Sequence, residues 1–113
     1  MGTSASINFM SQQEGLISVY DHFDGYPSGM AEKLMAYRNS DSRGLAAAFI
    51  RANPRAELVG VNGFTPAGEY TYIVNRRNRE ETIEAYREYH QPAFFVGTLT
   101  EFLERYLPED HAA

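Results

Sequence analysis

Tyr20-Asp21-His22-Phe23-Asp24-Gly25-Tyr26-Pro27-Ser28-Gly29 is the stretch on which the choice of fold depends. Upstream, Leu16 to Phe23 alternates as a strand does. Ile17, Val19, Asp21 and Phe23 share one face, and Leu16, Ser18, Tyr20 and His22 share the other. Downstream, Met30, Ala31, Leu34, Met35 and Tyr37 recur at helical spacing. Between them, Asp24-Gly25 is a turn former, Gly25 admits positive φ, and Pro27 presets φ for a helix start. Ser28 is placed to cap a helix running to about Asn39. A strand that gives way to a helix this abruptly implies a mixed α and β architecture, and such junctions are common places to build a site.

Working outward, Ile7 and Phe9 alternate with Asn8, which predicts a strand over 5–10. Gln12-Gln13-Glu14-Gly15 reads as the turn that joins it to the second strand in a hairpin. On the other side, Asn39 to Ser42 breaks the first helix. Leu45, Ala48, Phe49 and Ala52 place a second helix over about 43–52, which Asn53-Pro54 stops. Leu58, Val59 and Val61 read as a buried strand. Thr65-Pro66-Ala67-Gly68 reads as a turn, and Asn62-Gly63 is itself a hairpin dipeptide. Tyr70, Tyr72 and Val74 form another strand, followed by a basic loop, Asn75-Arg76-Arg77-Asn78-Arg79. Residues 80–90 carry glutamates that favour helix and Thr82, Ile83, Tyr86 and Tyr89 that favour strand; a strand paired with 69–75 is the reading adopted. Phe94-Phe95-Val96 is a short apolar run expected to be buried. Thr98 and Glu101 have capping-box spacing at the start of a last helix over about 99–107, and the tail from Pro108 is expected to fray. The sum is a single α+β domain over 1–113, a small antiparallel sheet with two or three helices packed on one face.

Composition narrows the chemistry. The 113 residues carry a net charge of −5 and no cysteine. Disulfides, thiolate metal sites and cysteine catalysis are thereby excluded, and a reducing cytoplasm is the expected setting. The acidic balance argues against binding nucleic acid over the whole surface, because phosphate affinity needs clustered cations. Lys33 is the sole lysine. No apolar run approaches the ~20 residues of a membrane span. Met1 to Ser6 lacks the basic start and apolar stretch of a secretory signal, although Gly2 and Ser6 touch the myristoylation pattern.

His22 and Asp24 lie two residues apart, with Tyr20 on the face of His22. A carboxylate beside an imidazole fixes its tautomer, so this trio suits a polar ligand or acid–base work. The same residues also suit a plain turn, with Asp24 capping backbone amides. Asp21 falls on the apolar face and needs a partner there, such as an amide at a helix N-terminus. His90 and His111 lack metal-ligand spacing with His22, so neither a metal nor a cofactor is expected. No phosphate loop or nucleophile elbow is present, and Ser28 reads as a cap rather than a nucleophile. Arg76, Arg77 and Arg79 beside Tyr70 and Tyr72 could meet an anion or nucleic acid; Glu80 and Glu81 blunt their field, and a solvated hairpin tip is the simpler reading.

Tyr20-x-His22-x-Asp24-Gly25-Tyr26-Pro27-x-Gly29, followed by an amphipathic helix, resembles a segment of small phage, prophage and bacterial proteins that begin with a short hairpin. Met1 to Ala5, Leu45 to Ile50 and Glu69 to Ile73 are similar to theirs in order along the chain. The resemblance implies an origin in mobile genetic elements rather than a particular reaction. The expectation is a cytoplasmic, non-enzymatic binding protein, such as an inhibitor of a host or defence component. Its contact residues would be Tyr20, His22, Asp24, Gly25, Tyr26, Pro27 and Gly29. The alternatives are a binder or hydrolase of a small anionic, nucleotide-like ligand using His22 and Asp24, and a weak nucleic-acid binder through 76–79. The partner would be a host protein or small ligand, and a homodimer is compatible with the sequence.

Overall fold

A computed structural model describes residues 3–11, 15–38, 45–61, 68–77, 80–88 and 90–107. In chain order these form β1 (Ala5–Ser11), β2 (Gly15–Asp21), α1 (Pro27–Arg38), α2 (Leu45–Ala52), β3 (Glu57–Val61), β4 (Tyr70–Arg77), β5 (Glu80–Tyr86), β6 (Phe95–Thr98) and α3 (Leu99–Tyr106). The turns and breaks expected at 12–14, 39–42, 62–63 and 65–67, together with Asn78, Arg79 and the tail from Pro108, lie outside the described residues.

The architecture is α+β. The strands form one six-stranded sheet in the order β3-β2-β1-β4-β5-β6. It is larger than the small sheet expected, and it is mixed rather than wholly antiparallel. β1 and β4 run parallel, with Ile7 opposite Tyr72 and Phe9 opposite Val74, while every other pair is antiparallel. The reason is topological. The β1–β2 hairpin and the β4–β5–β6 meander are each local, and the long connection through both helices and β3 returns the chain to lie beside β1 in the same direction.

Alternation sorts the sheet into two faces. Ala5, Ile7, Phe9, Val19, Tyr72, Val74, Ile83 and Ala85 are buried beneath the helices. Against them pack Met30, Ala31 and Leu34 of α1, Phe49 of α2, and Leu99, Phe102 and Leu103 of α3, in one continuous core. Of the helix stripes predicted from spacing, Met30, Ala31, Leu34, Ala48, Phe49, Leu99, Phe102 and Leu103 are buried, Met35, Ala52, Tyr106 and Leu107 are half-buried, and the side chains of Tyr37 and Leu45 lie outside those described. Phe102 sits at the centre of an aromatic group, 6.0 Å from Tyr72, 5.4 Å from Phe95 and 4.8 Å from Tyr106 between ring centroids. On the opposite face of the central strands the buried side chains are small and polar, and they satisfy one another. Ser18 Oγ donates to Asn8 Oδ1 at 2.6 Å, and Asn8 Nδ2 donates to Tyr72 O.

Five local expectations are corrected. β3 is not the buried strand expected: it is an edge of the sheet, and Leu58 and Val59 are exposed. β2 ends at Asp21, not Phe23, so Phe23 leaves the alternation and is exposed. α1 begins at Pro27, with the first i→i−4 bond running from Met30 N–H to Tyr26 O, so Ser28 lies inside the first turn rather than capping it. Asn75, Arg76 and Arg77 belong to β4 rather than to a loop, because Arg76 and Arg77 register against Glu81 and Glu80. Phe94 and Val96 are exposed, Val96 to 70%: Phe94 precedes β6, and Val96 alternates with core-packed Phe95 onto the sheet face away from the helices. The strand over 80–86 and the capping box of α3 are present as read from the sequence.

Candidate functional site

The turn from Asp21 to Pro27 is held from three sides. Gly25 N–H donates to Thr3 O at 2.7 Å, and Gly25 O accepts from the buried Tyr72 hydroxyl at 2.7 Å. Burial pushes that phenol far above its ordinary pKa, so it stays a donor across the physiological range. A Cβ on Gly25 would stand 2.6 Å from Ala5 Cβ and 2.9 Å from Thr3 O, and one on Gly29 would stand 2.3 Å from Asp24 O. Both positions therefore require glycine for close backbone approach.

The third tie is Asp21. It is 2% exposed, and its carboxylate accepts from Phe23 N–H at 3.1 Å and from Lys33 Nζ at 2.7 Å. Lys33 also donates to Phe23 O. The partner expected for Asp21 was a helix N-terminal amide; the structure supplies an ammonium instead, from the second turn of α1. A buried charge paired in this way with its lone pairs occupied avoids the desolvation cost of an isolated one.

On this frame the sequence-predicted residues separate. Gly25, Pro27 and Gly29 shape the backbone. Tyr20 and His22 meet edge to face, with ring centroids 4.7 Å apart. The His22–Asp24 pairing does not form. His22 Nε2 instead lies 3.1 Å from Glu57 Oε1, across the β2–β3 seam, with both side chains exposed. Asp24 takes a positive φ of 55°, which turns its carboxylate toward Tyr26, whose hydroxyl donates to it at 3.4 Å. The Asp24 charge raises the Tyr26 phenol above its ordinary pKa. The turn thus presents two pairs, Tyr20 with His22 and Asp24 with Tyr26, and Phe23 stands between them, 45% exposed.

Beside the turn lies a cleft of about 250 Å³, walled by Phe23 and Asp24 on one side and by Asn53, Pro54 and Arg55 of the α2–β3 link on the other. Asp21 and Lys33 also line it. The Arg55 guanidinium carbon lies 5.7 Å from the Phe23 ring centroid. Phe23, Lys33, Arg55 and Glu57 were not among the residues singled out from sequence. Asp21 on an apolar face was a signal for Lys33, the sole lysine, but nothing local brings Arg55 or Glu57 to this turn.

Of the three arginines of the basic loop, only Arg76 has a described side chain. Arg76 pairs with Glu81 at 3.2 Å, the Arg77 backbone lies in β4, and Arg79 is outside the described residues. Tyr72 is buried, and Tyr70 is covered by Arg87, which lies 4.8 Å from the ring centroid and donates to its hydroxyl. Neither tyrosine presents a free ring face as a stacking platform would. Among the described residues no group of three or more His, Cys, Asp or Glu side chains is placed to hold a metal ion. Among the described residues no helix is long and apolar enough to cross a membrane. Set against known protein families, curated proteins and solved structures, the chain matches none of them.

Proposed function

We propose that this is a non-enzymatic binding protein whose contact surface is the rim of the Asp21–Pro27 turn, formed by Tyr20, His22, Phe23, Asp24 and Tyr26. The observation that carries this reading is the exposure of two large aromatics, Phe23 at 45% and Tyr26 at 41%, on a backbone held by Thr3, Tyr72 and Lys33. Aromatic anchors on a preorganised segment lose little freedom on binding and suit the centre of a protein interface. The resemblance to small phage and prophage proteins supports a host or defence protein as the partner, which the chain would inhibit by occupying it. A small anionic ligand has less support. His22 is engaged by Glu57, and of the two cations that line the cleft beside the turn, Lys33 is already paired with Asp21.

The test is capture from a bacterial lysate followed by native mass spectrometry, run with the wild type and with the Asp24→Ala/Tyr26→Ala double variant. A protein retained by the wild type and lost from a folded double variant is the expected result. Retention by both would show that the surface lies elsewhere.

A further inference from the structure

We infer that the cleft beside the turn receives a basic side chain of the partner, an arginine or a lysine, in the place that Arg55 now holds over Phe23. This rests on the binding reading above and names the chemistry of what is bound. The cleft already accommodates two cations of its own chain. Lys33 sits at its base on Asp21 and on the Phe23 carbonyl, and Arg55 lies over the Phe23 ring.

The two are held very differently. Lys33 is locked by a buried carboxylate. Arg55 has no carboxylate partner among the described residues and is kept only by the ring face, an interaction worth about 0.5–1 kcal/mol at an exposed site. Asp24, on the same wall, is exposed, and its one hydrogen bond to a described residue is the long 3.4 Å contact from Tyr26. The C-terminal end of α2 borders the cleft through Ala52, and its carbonyl dipoles add negative potential there. An incoming guanidinium that reached both the Phe23 face and the Asp24 carboxylate would make the charge-assisted hydrogen bond that Arg55 lacks, and would displace Arg55 to solvent. The net charge of −5 favours the approach of a basic segment. Arg55 then acts as an internal competitor that the partner must outbid.

That role has a signature with an unusual sign. The experiment is an NMR titration of the full chain with N-acetyl-arginine-amide, with N-acetyl-norleucine-amide as the uncharged control and inorganic phosphate as the anionic one. The expected result is saturable movement of the backbone amides of 21–24 and 53–55 with the arginine probe alone. Arg55→Ala should tighten binding by about 2- to 5-fold, the inverse of the cation–π contact removed. Arg55→Gln should do the same with a polar, uncharged side chain that keeps part of the aliphatic stem, and Asp24→Asn should weaken binding. Equal binding of the norleucine probe, a response to phosphate in its place, no movement at these amides, or no tightening in either Arg55 variant would each overturn the inference. Spectra that superimpose outside the cleft confirm that the variants are folded. Because the probe is read without any partner, its failure is distinguishable from failure of the binding surface, which the Asp24→Ala/Tyr26→Ala double variant tests by partner capture.

Discussion

Gly25 and Asp21 show how differently single residues declare themselves. Gly25 is read correctly as a conformational residue because Asp-Gly before Tyr-Pro has few other uses. Its requirement comes from Ala5, a strand start twenty positions earlier, 2.6 Å from where its Cβ would stand. Gly25→Ala is therefore expected to cost about 1–3 kcal/mol by overpacking, seen as a lower urea midpoint with an unchanged slope. Asp21 declares only a need. An acid on an apolar face must find a partner, but nothing in the alternation says that it is Lys33, which arrives from α1 after the chain has reversed. Asp21→Ala should cost about 1–3 kcal/mol, because it takes the carboxylate from the partly buried Lys33 ammonium and the acceptor from Phe23 N–H. The double variant Asp21→Leu/Lys33→Met should recover much of that loss in the same unfolding measurement. Phe23 is the residue most misread, since extending β2 by two positions buried on paper a ring that the structure exposes.

Elements were legible wherever a local rule and a tertiary demand agreed. β5 is the instructive case. Its glutamates favour helix, yet pairing with β4 on one side and β6 on the other overrides propensity, and Ile83 and Ala85 take the core face. The start of α3 needed no tertiary help. Thr98 N–H donates to Glu101 Oε1 at 2.8 Å, and Glu101 N–H donates to Thr98 Oγ1 at 3.1 Å. The Thr98 backbone amide, and after it the Thr98 side chain, hold the Glu101 carboxyl below its ordinary pKa. A carboxyl depressed in the folded state stabilises fully above its unfolded pKa, and that contribution is lost as pH falls through the folded value. The stability advantage of wild type over Glu101→Gln should accordingly shrink on acidification below the ordinary carboxylate range, as followed by thermal melts at stepped pH. Thr98→Ala should cost about 1 kcal/mol at neutral pH.

For the whole molecule, the hairpins were legible and their arrangement was not. Each hairpin is set by neighbouring residues, whereas the placement of β1 against β4 depends on contacts between residues such as Ser6 and Thr71, 65 positions apart. β1 and β4 are the central strands, hydrogen-bonded on both sides, while β3 and β6 are the edges. Amide hydrogen exchange should therefore be slowest at Ile7–Phe9 and Tyr72–Val74 and markedly faster in β3. The reverse order would mean that the parallel seam is not the centre of stability. The same seam bears on how the chain is made. β1 leaves the ribosome before β4 and waits for it, an interval of several seconds at about 5–20 residues/s. Until then one side of β1 has no neighbour in the sheet, and Tyr72, which secures the Gly25 turn, does not yet exist. A product cut short before β4 has neither its central strand pair nor the Tyr72 bond to the Gly25 turn. Such a fragment exposes an apolar strand edge for cellular proteases to recognise, so the topology makes incomplete synthesis self-reporting.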